Sequence, residues 1–262
     1  MTQLLDIAER SARGVAIAGE ATGKPLPAPA TLYQESLRDF VWAEVWSRPG
    51  LDRRARFLIA LAGAAAAGAD PTVLDNYVRG ALTTKELTLA ELREAALHLS
   101  VYAGWSRGGA LDAAVTRVAA ELDLPQPPAR PLRAAPWDPE VRTQEGRAEF
   151  TAVMTFPGGP SATPFLEAIN NFVFGEMWCR YDGLDQRSRR WITLVGVCES
   201  TAEIPCKSHI HAAMASGNCK PAEILEFVLA YGVHAGWPRA SAVQGVALEM
   251  IKKYEAGLAW NG

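Results

Sequence analysis

The sequence predicts an all-α fold, made of two tandem helical repeats that pack against each other pseudo-symmetrically. Three observations support this prediction. No stretch of the 262 residues shows the sustained period-two alternation of a half-buried strand. Helix-start signals recur along the chain, and almost the whole sequence repeats at an offset near half its length.

The first half is predicted to fold as a series of helices. Residues 3–19 are amphipathic and precede a Pro-rich loop at 24–30. Later start signals are side chains that accept hydrogen bonds from the first free N–H groups of a helix. They are the capping box Thr31 to Gln34, Asp52, Asp70 followed by Pro71, and the capping box Thr88 to Glu91. We expect the first of these helices to run through Val45, the fourth to about Tyr102, and a last one from near Gly109 to Leu122.

Residues 123–137 are predicted to be a Pro-rich linker between a first repeat, 1–122, and a second, 138–262. The pattern Phe-Val-x-x-Glu-x-Trp-x-Arg occurs at 40–48 and at 172–180, an offset of 132. Ala-Gly-Trp-x-Arg recurs at the same offset, and Leu-Asp-x-Arg-x-Arg at an offset of 133. Chance does not produce gapless identities over so long a span, so the chain is a tandem duplication.

Reactive side chains are unevenly divided between the repeats. All four cysteines and three of the four histidines lie in the second. The offset of 132 places Tyr77 opposite His209 and Leu74 opposite Cys206. This asymmetry predicts a site in repeat two and a degenerate copy in repeat one.

A helix is predicted from about Glu203, with Pro205 in its first turn and Gly217 just past its end. Cys206 and His209 are three residues apart and share one face of this helix, whereas His211 points away. A thiol beside an imidazole is either a reactive pair or a polar patch in the core.

Composition and charge exclude several classes of function. The net charge of −3, without a run of Lys or Arg, argues against nucleic acid as a partner. The longest apolar run, 57–69, is too short to span a membrane, and no signal peptide is recognised, so we expect a cytoplasmic protein with reduced thiols. Neither a convergent ligand set nor a Gly-rich phosphate loop is present, so no metal or organic cofactor is expected.

Six segments carry a family resemblance: 43–56, 78–82 and 91–105 in repeat one, and 175–178, 209–217 and 223–238 in repeat two. On them the chain resembles the carboxymuconolactone decarboxylase family, which shares its all-helical fold with the alkyl hydroperoxidase D proteins. The family's helix histidine corresponds to His209 and, in repeat one, to Tyr77. The peroxidase branch has Cys-x-x-Cys here, whereas this chain has Cys206 and His209. The resemblance also implies a homo-oligomer, with a trimer favoured over a dimer.

Three residues are predicted to be catalytic. His209 is proposed as a general acid/base, because imidazole titrates near neutral pH; the alternative is a core histidine bonded to a carbonyl. Glu176 corresponds to an acid that faces this histidine in the family, but its recurrence as Glu44 also suits a structural carboxylate. Cys206 is either a nucleophile or a small buried residue that lines the pocket.

Three more residues are candidates for substrate binding. Arg189 could hold a carboxylate in a bidentate fork or form a structural ion pair. Trp178 is either core or the wall of an apolar pocket. His234 lines the pocket or lies at the surface.

Together these observations predict a cofactor-independent lyase, acting as a decarboxylase on a small unsaturated acid or lactone from aromatic catabolism. An isomerase or a lactone hydrolase could use the same groups. A thiol peroxidase or disulfide reductase would use Cys206, resolved by Cys198 or by the thiol of another subunit. A non-catalytic binding protein is the remaining alternative.

Overall fold

A computed structural model describes residues 6–126, 128, 131–133, 136 and 138–262. The secondary structure of these residues is helical, joined by loops and without any strand, as the sequence predicts. The first half contains α1 (Ile7–Thr22), α2 (Leu32–Ser36), π1 (Leu37–Trp46), α3 (Arg53–Ala66), α4 (Pro71–Thr83), α5 (Leu89–Ala103) and α6 (Trp105–Glu121). The second half contains α7 (Pro139–Met154), α8 (Pro164–Ala168), π2 (Ile169–Trp178), α9 (Gln186–Glu199), α10 (Glu203–Ala215), α11 (Pro221–Ala235) and α12 (Trp237–Glu255).

The predicted start signals form the expected caps. In the first half, side-chain oxygens at the four predicted helix starts, and at Asp6, which was not predicted, accept hydrogen bonds from backbone N–H groups. These residues are Asp6, Thr31, Asp52, Asp70 and Thr88. Thr88 and Glu91 form the full reciprocal box, whereas the Gln34 amide oxygen accepts from the N–H of Ala30 instead of Thr31.

Two predicted helix boundaries were wrong. The first helix ends at Thr22 instead of residue 19, because Gly23, with a φ of 64°, ends it. Its predicted start at residue 3 lies outside the described residues, of which Asp6 caps the helix. The last helix of repeat one begins at Trp105, four residues before the predicted Gly109. Gly104, with a φ of 92°, makes the turn between α5 and α6 within a single residue, and few other residues adopt that conformation.

The two π-helical segments were not anticipated. The helix opened by Thr31 continues past the predicted Val45 to Trp46, and its last ten residues are π-helical. The corresponding stretch of the second half, π2, has the same form and length. Such segments are rare and are often found at functional sites. Here π2 carries Glu176 and Trp178.

Helices α3 and α9 lie at the centre, buried over most of their length, and pack against each other. Helix α5 crosses α9, and α11 crosses α3, so one core includes both halves of the chain. Glycines allow the close approach. A Cβ at Gly63 would lie 3.0 Å from the His234 side chain, and one at Gly196 would lie 2.5 Å from the Cβ of Tyr102.

Ion pairs between the halves occur at equivalent positions. Arg180 donates to both carboxylate oxygens of Glu94, and Arg48 does the same to Glu226. Two further equivalent ion pairs join the starts of α3 and α9. Arg54 pairs with Asp185 at 3.1 Å, and Arg187 pairs with Asp52 at 2.8 Å. Two pseudo-symmetric repeats would give such matched contacts. The pseudo-symmetric packing itself stays a prediction.

The repeat boundaries, 1–122 and 138–262, also stay predictions. Of the predicted linker 123–137, residues 127, 129, 130, 134, 135 and 137 lie outside the described residues. Within the described parts of the chain, none of the helices is long and apolar enough to cross a membrane.

Candidate functional site

Helix α10 holds Cys206 and His209 on a buried face, as predicted. Pro205 lies in its first turn, and Gly217 follows its end with a φ of 76°. Both side chains are more than nine-tenths buried, with 6% and 8% of their surface exposed. His211 lies on another face, where its Nε2 pairs with the carbonyl of Leu258 at 2.9 Å.

His209 belongs to a cluster supplied by both repeats, His98, Tyr102, Trp178 and His209, here called the cross-repeat cluster. The rings of Tyr102 and His209 meet edge to face, with centroids 5.5 Å apart. Trp178 donates its indole N–H to the Tyr102 hydroxyl at 2.8 Å. His98 packs edge-on against Trp178, at 4.9 Å. Trp178, predicted as core or pocket wall, is fully buried within this cluster.

The guanidinium of Arg189 is held by contacts with other residues of the protein. Its guanidinium lies 3.4 Å from the Glu94 carboxylate and 3.3 Å from Nδ1 of His98, and donates to the carbonyls of Leu184 and Arg180. Of the two roles predicted for Arg189, these contacts favour the structural ion pair over bidentate binding of a substrate carboxylate. Its contacts hold α5 against α9 and so position His98.

The adjacent Arg190 was not among the predicted site residues. Its guanidinium carbon lies 5.1 Å from the centre of the Trp178 ring, and its Nε donates to the side chain of Asn218 at 3.0 Å. Burial lowers the pKa of Arg190 to about 10, a value that still leaves it charged at neutral pH. A cation therefore lies against the ring of Trp178, a member of the cross-repeat cluster.

The titration of His209 differs from the expectation. Burial, and then the positive charge of Arg190, lower its pKa to about 3. Burial and Arg189 likewise hold the pKa of His98 well below its usual range. Burial therefore favours neutral imidazoles at pH 7, in contrast to the titration near neutrality that was expected for His209. Nδ1 of His209 is buried and has no hydrogen-bond partner among the described residues.

Glu176 lies away from His209. Its carboxylate forms an ion pair with Arg142 at 2.8 Å and lines a groove with Arg133, Cys179 and Arg180. Trp178 is two residues further along π2 and enters the cross-repeat cluster, so Glu176 is directed to another face. No hydrogen bond joins it to His209 in the described structure.

His234, predicted beside the repeat-two site, lies on the other side of the molecule. It packs over Gly63 of α3, and its ring meets Tyr77 edge to face at 5.7 Å. Burial lowers its pKa to about 4. Helix α11 packs against α3 of the first repeat, so His234 contacts Tyr77, the counterpart of His209. Helix α5 packs against α9 of the second repeat, so the residue beside His209 is Tyr102.

Cys206 has a second thiol beside it. Its sulfur lies 3.8 Å from that of Cys198 on α9, and both residues are buried. Their shared hydrogen bond lowers the pKa of Cys206 and, with burial, raises the pKa of Cys198 well above its usual value. Among the described residues, no group of three or more His, Cys, Asp or Glu side chains could hold a metal ion.

Around these helices the two halves differ in polarity at equivalent positions. At the repeat offsets, polar groups near the cross-repeat cluster correspond to apolar or aromatic groups on the opposite side. The pairs are His209 and Tyr77, Arg190 and Phe57, Thr193 and Ala60, and His98 and Ala230. Thr193 lies in the same network, 2.9 Å from Nε2 of His98. Comparing the halves position by position identifies Arg190, Thr193 and His98, which motif-based prediction missed.

Comparison with known proteins agrees with the helical architecture. The carboxymuconolactone decarboxylase family is matched over residues 31–116, which include Tyr77, His98 and Tyr102. The matched region contains two members of the cross-repeat cluster, His98 and Tyr102, and α9 and α10 lie outside it.

Two curated relatives are similar over part of their length. The 4-carboxymuconolactone decarboxylase of Acinetobacter baylyi is 42% identical over 72 residues, which are 28% of this chain and 52% of that protein. The nitrosuccinic acid decarboxylase npaB of Metarhizium robertsii is 41% identical over 71 residues, 27% of this chain and 48% of that protein. The chain therefore spans about half the length of the curated relatives it matches.

Proposed function

We propose that this protein is a cofactor-independent decarboxylase, a carbon–carbon lyase, acting on a small unsaturated acid or lactone from aromatic catabolism. The names of the family and of both relatives support decarboxylase-type chemistry. The observation that carries the proposal is His209, a buried neutral imidazole whose Nδ1 has no partner among the described residues. Such a group can bond to a substrate and exchange a proton with it.

The chemistry requires a place for electrons and a source of protons. When the carbon–carbon bond to the carboxylate breaks, CO2 leaves and its bonding electrons pass to a conjugated carbonyl of the substrate as an enolate. Burial removes water from the carboxylate, and nearby donors stabilise the growing enolate charge. His209 then delivers a proton to carbon and recovers one from solvent. The negative charge of the substrate favours the imidazolium, which the free protein disfavours.

Other residues have supporting roles in this proposal. Tyr102 and Trp178 hold the imidazole plane through the edge contact and the indole hydrogen bond. Arg189 positions His98 from the opposite side. We assign no proton transfer to Glu176, because its carboxylate is held by Arg142. We also propose a homotrimer, with a dimer as the alternative, to be decided by light scattering of the purified protein.

The test is a screen of lactones and unsaturated acids from aromatic catabolism, followed by CO2 release and ultraviolet absorbance. A decarboxylase releases CO2 in step with the loss of substrate. Absorbance change without CO2 would favour an isomerase or a lactone hydrolase, and no change with any compound would favour a binding protein.

The contact between Cys198 and Cys206 favours a second candidate function, a thiol peroxidase. The Cys206 thiolate would attack an organic hydroperoxide, giving an alcohol and a sulfenic acid on Cys206. Cys198 would then displace water to form a disulfide, and an external dithiol would reduce it. Decomposition of cumene hydroperoxide in the presence of dithiothreitol, compared between the wild type and Cys206→Ser, tests this candidate.

A further inference from the structure

Arg190 is a fully buried cation without an acidic partner within ion-pair distance in the described structure. Its side chain is 0% exposed. The groups that accept its hydrogen bonds are neutral: the carbonyl of Val153 and the side chains of Ser216 and Asn218. Its Nη1 is buried and has no hydrogen-bond partner among the described residues. Buried charges are normally paired, since removing them from water is energetically unfavourable.

Neighbouring arginines show how unusual this is. On the same helix, Arg187 pairs with Asp52 and Glu223, and Arg189 pairs with Glu94. The carboxylate that acts on Arg190 through space is Glu149. That carboxylate already accepts hydrogen bonds from Tyr181 and Gln186. The positive charge of Arg190 therefore has no carboxylate within ion-pair distance among the described residues.

Packing does not require a cation at this position. In repeat one the equivalent residue is Phe57, whose ring meets Trp46 edge to face at 5.2 Å. In repeat two, Arg190 lies against the equivalent tryptophan, Trp178, at 5.1 Å. An aromatic ring thus fills this space in one half, and a guanidinium fills it in the other. The substitution adds charge to a position where a hydrophobic side chain packs well.

His209 is the second polar group of this region with an unused atom, its Nδ1. It faces Tyr102 and His98 from α5 and Arg190 from α9, with Cys206 and Lys207 on its own helix. The carboxylate on the same helix, Glu203, is 74% exposed and pairs with Lys207 instead. A buried guanidinium and a buried imidazole, each with a nitrogen that has no partner among the described residues, therefore lie close enough for the charge of Arg190 to act on His209.

We propose that Arg190 and His209 form a carboxylate-binding site, in which Nη1 of Arg190 and Nδ1 of His209 donate to the oxygens of one bound carboxylate group. A planar carboxylate matches the donors of a guanidinium better than a spherical anion does. The identification of this carboxylate as part of the substrate rests on the proposed function. The binding of the anion does not. A bound carboxylate also offsets the charge of Arg190 and favours the imidazolium that proton delivery needs.

Binding of maleate, a small unsaturated dicarboxylate, tests the site at constant ionic strength. Isothermal titration calorimetry of the wild type is expected to detect binding of maleate but not of the neutral maleamide. Arg190→Met is expected to weaken maleate binding at least tenfold. The control Arg187→Met removes an arginine from the same helix and is expected to change affinity less than twofold. Wild type that fails to bind maleate, or equal affinity in Arg190→Met, overturns the proposal.

A second measurement needs no substitution at Arg190, in case that variant does not fold. The imidazole resonances of His209, assigned with His209→Ala, are expected to shift on adding maleate, while those of His234 stay in place. Unchanged His209 resonances at saturating maleate overturn the proposal. Maleate binding without decarboxylation of any acid would contradict only the proposed function, whereas turnover with unweakened binding in Arg190→Met would contradict only this site.

Discussion

The ring of Tyr102, from repeat one, meets the ring of His209, from repeat two, edge to face at 5.5 Å. The equivalent contact on the other side joins Tyr77 and His234 at 5.7 Å, with the tyrosine and histidine exchanged between the repeats. Each half therefore places a ring against the central helices of the other. The site around His209 is incomplete without α5 of the first repeat.

Tyr102→Phe tests the indole hydrogen bond that holds this contact together. The change leaves the N–H of Trp178 without its acceptor, so we expect a loss of about 1–3 kcal/mol in the free energy of unfolding. Tyr77→Phe is the matched control, because the Tyr77 hydroxyl makes no hydrogen bond to a described residue. Urea unfolding followed by far-ultraviolet circular dichroism measures both. Equal stability of the two variants would contradict this role of Tyr102.

The two ion pairs between the halves give a matched prediction. Glu94→Gln removes the partner of the half-buried Arg180 and the buried Arg189, and Glu226→Gln removes that of Arg48. Glu94→Gln leaves the buried Arg189 without its partner, so we expect a cost of about 3–5 kcal/mol. Arg48 is 41% exposed, so we expect Glu226→Gln to cost less, about 1 kcal/mol. Thermal denaturation tests this, with the exposed Glu255→Gln as control. A loss in Glu226→Gln as large as that in Glu94→Gln would contradict this prediction.

Acid should destabilise the protein through its buried histidines. The pKa of His209 is lowered to about 3 by burial and then Arg190, and burial lowers that of His234 to about 4. Unfolded histidine titrates near 6.5, so below that pH the unfolded chain binds more protons. Stability is then fully present above about pH 6.5 and is lost as the pH falls, by about 1.4 kcal/mol per unit for His209 alone. The slope between pH 6.5 and 4 should decrease in His209→Gln. An unchanged slope would contradict the depressed pKa.

The thiol pair predicts a specific disulfide. Treatment of the native protein with excess hydroperoxide should link Cys198 to Cys206, detected by peptide mass spectrometry under non-reducing conditions. Cys206→Ser should abolish the link, and Cys219→Ser should leave it, because burial raises the pKa of Cys219 to about 12 and keeps that thiol protonated. A Cys206 that resists both hydroperoxide and alkylation would exclude the redox function.

Sequence reasoning identified the helices well because their signals are local. A cap such as Asp52 or Thr88 satisfies free N–H groups within three residues, whatever the rest of the chain does. The site depends on packing between distant helices, and local signals do not report it. His234 was a candidate for the pocket of His209, but α11 packs against α3 and carries it to Tyr77 instead. The ion pair of Glu176 with Arg142 was not predicted either. Arg190 is not part of any recognised motif. The sequence signal that identifies it is the presence of an arginine where the first repeat has Phe57.

CO2 release by His209→Ala and Tyr77→Phe, measured with a substrate from the screen, tests the central claim most directly. His209→Ala is expected to lose roughly a hundredfold to ten-thousandfold in kcat, the usual effect of losing a positioned acid or base. Tyr77→Phe, its counterpart in repeat one, is expected to retain turnover, because a phenol whose pKa burial holds above its usual value near 10 is a poor proton shuttle. Circular dichroism should first show both variants folded. Full activity in His209→Ala, or equal losses in both variants, would contradict a decarboxylase with its active site at His209.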